Sequence, residues 1–423
     1  MKRFKEPAKT ALILLLTLSA VFLAWRGSLF AAFFPPKAQP SPAPTEGSSL
    51  SFSAAALPVA AAVTAPGGLR CGIKYDAERM ALLYERFGAL LAEALGSAGA
   101  PEEMGEESWR SQLDRESLFL DYGFSLPLDA LAAWVGVEAP WAGDRRADAL
   151  LLVSAQEGSV RLCFREDGRF FACDTSASRA SLRTQLSEYR PNGAAFAFES
   201  DKLGPCAPYA LVLEQLPDLH AYESSTAQSP AAQALGEAFG INLSSQSRYT
   251  ETDGTLVYPG DAGVLRLTAD GAVTYSAAEG AVSPPERLAG RIEWVRRLLE
   301  TVRSAWAGEE TLRLSAVNAA SDGSLRLAFA YELGGLTVEL ASGPAAVAVW
   351  RPGGLSELSL RPLSFRLEES ESGLLPEKQA QAAAGSLHAG GEARLMLTET
   401  GAGSFRPAWI VTVEGRSLWT QDG

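Results

Sequence analysis

Apolar and polar positions along this chain repeat with two different periods, and each change of period marks a new element. The first apolar block has no period. Ala11–Trp25 is fifteen uncharged residues in a row, preceded by Lys2, Arg3, Lys5 and Lys9. Apolar character resumes in Leu29–Phe34 after Arg26-Gly27-Ser28, so 11–34 predicts a helix that reaches the about 20 residues a bilayer core requires. Leu12, Leu15, Leu16, Leu18, Val21, Phe22, Leu23 and Trp25 supply its apolar bulk, and Pro35-Pro36 stops it. The basic residues 1–10 predict a cytoplasmic tail and export of all that follows. A cleaved signal peptide has the same start, but its cleavage site is poor here, because bulky Trp25 follows Phe22-Leu23-Ala24. The anchor reading is therefore taken, and both readings export the body.

Residues 35–56 are rich in Pro and Ser and predict an extended linker. Beyond it the helical period appears. Met80, Leu83, Tyr84, Phe87, Leu90, Leu91, Ala94 and Leu95 recur at three- and four-residue spacing, predicting a helix over 76–95 with Asp76 as N-cap and Gly96 as stop. Short helices are expected at 106–113, 127–135 and 178–189, and strands at 57–64, 118–122, 195–198 and 209–213. Period two then dominates 149–174, with Gly158 and Asp167-Gly168 as hairpin turns. A β-meander is expected over 247–277 and a long helix over 284–306, capped by Ser283 and Glu286. More strands follow at 311–317, 325–331, 336–340, 346–350 and 358–366. A helix at 375–385 and strands at 393–398 and 407–412 complete the chain.

The expected fold class is α+β, with antiparallel sheets covered by helices and one N-terminal transmembrane helix. The expected organisation is 1–10 tail, 11–34 anchor, 35–56 linker, 57–225 N-terminal α+β domain or domains, and 240–423 C-terminal α+β domain, with a split near 370. The two helix-then-strands runs in 284–350 and 375–420 suggest duplication.

Charge narrows the function classes. The chain has 423 residues and a net charge of −13, while residues 1–26 are net basic. A body this acidic repels phosphate backbones, which excludes nucleic acid as a partner class. Two histidines in the whole chain make His-based metal or acid–base chemistry improbable. No HExxH, CxxC, GxSxG or P-loop pattern occurs. His220, between Asp218 and Glu223, and His388 read as surface residues. Glu102-Glu103, Glu106-Glu107 and Glu309-Glu310 read as solvated acids, and Trp294 and Trp306 as core. No cofactor, metal or catalytic group is expected. A three-residue turn over 167–169 would set Cys163 opposite Cys173, so that they either bridge or are two small buried side chains. Ser19, Ala20, Ala24 and Gly27 lie at helical spacing, either as a face for packing on partner helices or as ordinary anchor composition.

Several stretches together resemble the YycH/YycI-type regulators of a Gram-positive cell-wall two-component system. They are the basic start and single anchor, Asp253–Tyr258 with Leu265–Tyr275, the helix over 288–306, and Leu395-Met396-Leu397 with Arg406–Gly415. The resemblance is best over 245–423, where the last pattern is also similar to PepSY-like modules. It implies a bitopic membrane protein with an extracytoplasmic body. It also implies two protein partners, a sensor histidine kinase and a companion YycH/YycI-type protein, met partly through the anchor. It implies no catalytic residues. The other readings are an exported cell-wall-associated enzyme or protease-inhibitor-like PepSY protein, and a structural or solute-binding surface protein.

Overall fold

The N-terminal sheet starts from β1 (Ala60–Thr64) and β2 (Arg70–Lys74), short antiparallel strands whose residues are all buried. Residues 55–155, 158–368, 373–401, 403–413 and 416–420 are described by a computed structural model, and they belong to one compact unit. The expected anchor, with Leu12–Trp25 and its small-residue face, lies outside the described residues. Among those described, no helix is long and apolar enough to cross a membrane.

Helix α1 (Ala77–Ser97) buries the same eight residues that its period singles out. Asp76 accepts a 2.9 Å hydrogen bond from the Arg79 amide and caps it. At about 1.5–3 kcal/mol per large apolar side chain, that face supplies on the order of 10 kcal/mol of gross burial. Gly96 does not stop the helix, which continues to Ser97. Then come β3 (Glu102–Met104), α2 (Glu106–Leu113), β4 (Ser117–Pro127), α3 (Leu128–Trp134), β5 (Arg146–Ser154), β6 (Ser159–Glu166), β7 (Arg169–Ser178) and α4 (Arg179–Leu186). The antiparallel order is β2-β1-β4-β5-β6-β7-β3. Alternate residues of each strand enter different cores. Leu150 and Leu152 pack with α1, while Ala149, Leu151 and Val153 pack on the opposite face with Trp109 and Phe196.

The β6–β7 turn corrects the expected register and leaves Cys163 and Cys173 as the two small buried side chains of the second alternative. It has two residues, Asp167 and Gly168, both with positive φ, and Glu166 pairs with Arg169. The shorter turn shifts the register by one position. Cys163 then faces Ala172, Cys173 faces Leu162, and the two thiols enter opposite cores. All four cysteines are free and buried.

After the small β8–β9 pair (Ala195–Phe196, Leu211–Val212) the chain enters the second sheet through β10 (Ala221–Thr226) and α5 (Gln228–Phe239). Pro230 sits in the first turn of α5, where its missing amide costs nothing. The meander is β11 (Tyr249–Thr250), β12 (Leu256–Gly260), β13 (Gly263–Leu267) and β14 (Val273–Ala277). Helix α6 (Leu288–Arg303) begins later than expected, with Arg287 as N-cap and no capping box. The Pro284-Pro285 pair holds the preceding backbone extended, and the helix forms only beyond it. The chain continues through β15 (Thr311–Ala319), β16 (Leu325–Leu333), β17 (Leu336–Glu339), β18 (Ala346–Arg351), β19 (Gly354–Leu360) and β20 (Leu363–Glu368). The expected strand over 358–366 is thus two strands, broken at Arg361-Pro362. Last come α7 (Glu377–Leu387), β21 (Ala393–Gly401), β22 (Ser404–Val413) and β23 (Arg416–Thr420).

The second sheet has 14 strands in the order β11-β12-β13-β14-β19-β18-β16-β17-β21-β22-β10-β20, with β15 on β16 and β23 on β22. Its strands pair antiparallel except at β17–β21. The fold is therefore α+β with large, mainly antiparallel sheets. Its two sheets meet where β1, β2 and β4 approach β15, β17 and β21.

Candidate binding cleft

Side-chain amides close two strand edges at this meeting place. Asn192 accepts from the Gly72 amide at 2.9 Å and donates to the Gly72 carbonyl at 2.7 Å, filling the place of a strand beyond β2. Buried Gln381 of α7 does the same for Ala393 of β21, at 3.0 and 2.7 Å. Each satisfies one donor and one acceptor that would otherwise be orphaned.

Between these edges runs a network that joins the two sheets. Glu377, in the first turn of α7, is buried with Lys74. Its Oε1 accepts from Lys74 Nζ at 2.8 Å and from the Tyr75 hydroxyl at 3.3 Å, and its Oε2 accepts from the Leu213 amide at 2.8 Å. Lys74 also donates to the Leu211 carbonyl. The Leu395 amide of β21 donates to the Tyr75 hydroxyl at 3.4 Å. Burial opposes the Lys74 charge, but the Glu377 carboxylate outweighs it, so the ammonium's pKa is raised. Burial raises the Tyr75 phenol as well. Tyr75 has φ of 62°, an unusual conformation for an aromatic residue. The Gly334-Gly335 turn presses against it: a Cβ on Gly335 would lie 2.6 Å from the Asp76 amide nitrogen.

Beside this network is a cleft of about 530 Å³, within the usual range for small-ligand sites. β4 forms one wall where it leaves its ladder, since four residues lie between its pairings at Asp121 and Leu126. Val59, Tyr122, Phe124, Leu314, Leu395 and Met396 make it partly apolar. Its cations are already engaged. Arg394 donates to the Gly123 carbonyl at 3.2 Å and bonds Glu392 at 3.3 Å, while Arg313 bonds Glu332 and the Leu57 carbonyl. Asp121 accepts from the Gly123 amide at 2.8 Å and has no salt bridge among the described residues. Desolvation, then the facing Glu392 carboxylate, raises the Asp121 carboxyl. Burial resists the Glu392 charge too, but Arg394 and Lys74 overcome it and hold Glu392 low. Two neighbouring acids are thus driven apart in pKa. Tyr122 is 3% exposed, and its hydroxyl has no hydrogen-bond partner among the described residues.

Among solved structures, the chain matches YycH from Bacillus subtilis with a TM-score of 0.56 and 12% identity, over 87% of this chain and 96% of that one. The fold is YycH-like. No family model matches the sequence, and no curated protein matches it by sequence. A match over 87% of the chain extends well beyond 245–423, so the YycH-like architecture includes much of the N-terminal half, where the sequence pattern is faint.

The residues considered as candidate chemistry lie apart from the cleft. His220 and His388 are exposed, and Glu223 is paired with Arg366. Glu103 pairs with Arg169, and Glu106 bonds Arg110 and the Tyr209 hydroxyl. Trp109 is fully buried and stacked on Phe170. Trp306 donates to buried Glu310 at 2.8 Å, and Glu310 also accepts from the Phe365 amide, closing the β20 edge. The cleft residues Lys74, Tyr75, Asp121, Glu392 and Arg394 share no sequence spacing. The one local signal is a charged residue, Lys74, ending a strand that is buried throughout.

Proposed function

We propose that this chain is a membrane-anchored extracytoplasmic regulator of a sensor histidine kinase in a cell-envelope two-component system. The YycH-like fold over most of the chain carries this reading. In it, residues 11–34 hold the protein to the cell membrane as a single pass, with the N-terminus cytoplasmic and the body outside. The kinase and a companion YycH/YycI-type protein are its partners. The face formed by Ser19, Ala20, Ala24 and Gly27 is its contact within the bilayer. The body acts through binding rather than catalysis.

A photo-crosslinker placed at Ala20 or Ala24 in living cells tests this reading. A histidine kinase identified by mass in the crosslinked product supports it; crosslinks to lipid and to export machinery alone count against it. The cleft favours a second reading, in which the body binds a solute. Its volume and its convergent polar groups support that reading.

A further inference from the structure

We propose that the cleft binds a short peptide through a primary ammonium, which sits at Asp121 beside Glu392, while the peptide's apolar side chains lie on Phe124, Leu395 and Met396. The proposal rests on the solute-binding reading and is independent of the kinase. Three observations carry it. The first is the unequal pairing of charges around the cleft. Lys74 is held by Glu377, Arg313 by Glu332, Arg394 by Glu392, and nearby Arg165 by Asp148 at 2.8 Å. Asp121, on the wall of the cavity beside Glu392, makes no direct salt bridge among the described residues, since Arg394 and Arg165 near it are bonded to Glu392 and Asp148. An incoming ammonium would give Asp121 the direct ion pair it lacks, whereas an anion would find the cleft's arginines and lysine already paired.

The second is the segment Tyr122–Phe124, which lines the same cleft and brings the Phe124 ring to it, while the Tyr122 hydroxyl is buried without a hydrogen-bond partner among the described residues. The third is the wall itself. β15 is a sheet-edge strand among the described residues, and β4 has left its ladder along the cleft, so backbone as well as side chains faces the space. Apolar and polar groups thus alternate around a volume suited to a few residues of extended chain. A small inorganic cation would leave the apolar part unused.

The test is calorimetric titration of the full-length protein in detergent with Leu-Leu-amide, N-acetyl-Leu-Leu-amide and N-acetyl-Lys-Leu-amide. The free amine or the lysine peptide binds, and whichever is tighter identifies the source of the ammonium. The acetylated control binds at least tenfold more weakly. Asp121→Asn retains the acceptor for the Gly123 amide but removes the charge, and it weakens binding by the same factor. Binding by the wild type also weakens as pH falls and Asp121 takes up its proton opposite Glu392, Arg394 and Arg165. Equal binding of free and acetylated peptides overturns the proposal. So does unchanged binding by a folded Asp121→Asn variant, or no binding of either amine by a folded wild type. None of these results bears on the crosslink to the kinase, so the two readings fail separately.

Discussion

Removing Glu377 tests whether the two sheets are tied together by its buried network. In Glu377→Met the Lys74 ammonium loses its carboxylate, and the Tyr75 hydroxyl and Leu213 amide lose an acceptor. The two side chains are 7% and 0% exposed, so solvent does not screen the loss. Breaking a buried pair from one side costs about 3–5 kcal/mol. Lys74→Met strands the carboxylate and costs a similar amount. The double variant Lys74→Met/Glu377→Met leaves neither charge of the pair; what remains is the Leu213 amide and the Tyr75 hydroxyl without their Glu377 acceptor and the Leu211 carbonyl without its donor, losses that the single variants already contain. The two substitutions are therefore non-additive: the double variant loses less than the sum of the two single variants.

Urea unfolding followed by near-ultraviolet circular dichroism measures this. The Tyr75 ring lies edge-on to Trp409 at 6.1 Å and reports on the joint. The sign with pH is also set. Lys74 has a raised pKa, so its contribution is fully present below the unfolded-lysine value of about 10.4 and is lost only as pH rises through the still higher folded value. The Lys74→Met deficit is accordingly constant across neutral pH. Single variants that each lose less than about 1 kcal/mol, as an exposed pair would, refute the reasoning, as do additive effects.

Three further outcomes follow from the same structure. Gly335→Ala combines a positive φ of 89° with a clash against the Tyr75–Asp76 backbone, and it destabilises by more than about 1 kcal/mol in the same unfolding assay. Asp121 has a raised carboxyl pKa, so its penalty is absent at low pH, grows above the unfolded value of about 3.9 and is fully present above the folded value; Asp121→Asn therefore raises the melting temperature at neutral pH, and the gain shrinks on acidification. Burial pushes the Cys163 and Cys173 thiols up to about 12 and about 11. Iodoacetamide therefore leaves the native chain unlabelled, while the unreduced, denatured chain takes up four labels by mass; uptake of two instead indicates a disulfide.

Much of this fold is legible in its pattern of apolar positions, and the misses have local causes. The stripe from Met80 to Leu95 and the alternation in 149–174 depend on neighbours in sequence, and both became the expected elements. Arg70–Lys74 interrupts its apolar character with Gly72 and a charge at each end, so it does not read as a buried strand. Its charges are compensated far away in sequence, by Asp114 and Glu199 at Arg70 and by Glu377 at Lys74. Pro284-Pro285 reads as a first turn but precedes the helix. The cysteine register turned on one residue of loop length. The cleft was illegible for a simpler reason: its wall is built from β1, β2, β4, β15, β16, β17 and β21, and no spacing rule relates Asp121 to Glu392.

The regulatory role is tested most directly by reconstitution. The full-length protein and the cell-envelope sensor histidine kinase of its host are placed in one bilayer, and kinase autophosphorylation is followed with radiolabelled ATP. The protein is expected to change the rate severalfold, and replacing 11–34 by an unrelated apolar span is expected to abolish the change while the body remains folded. A rate unaffected by the intact protein contradicts that role.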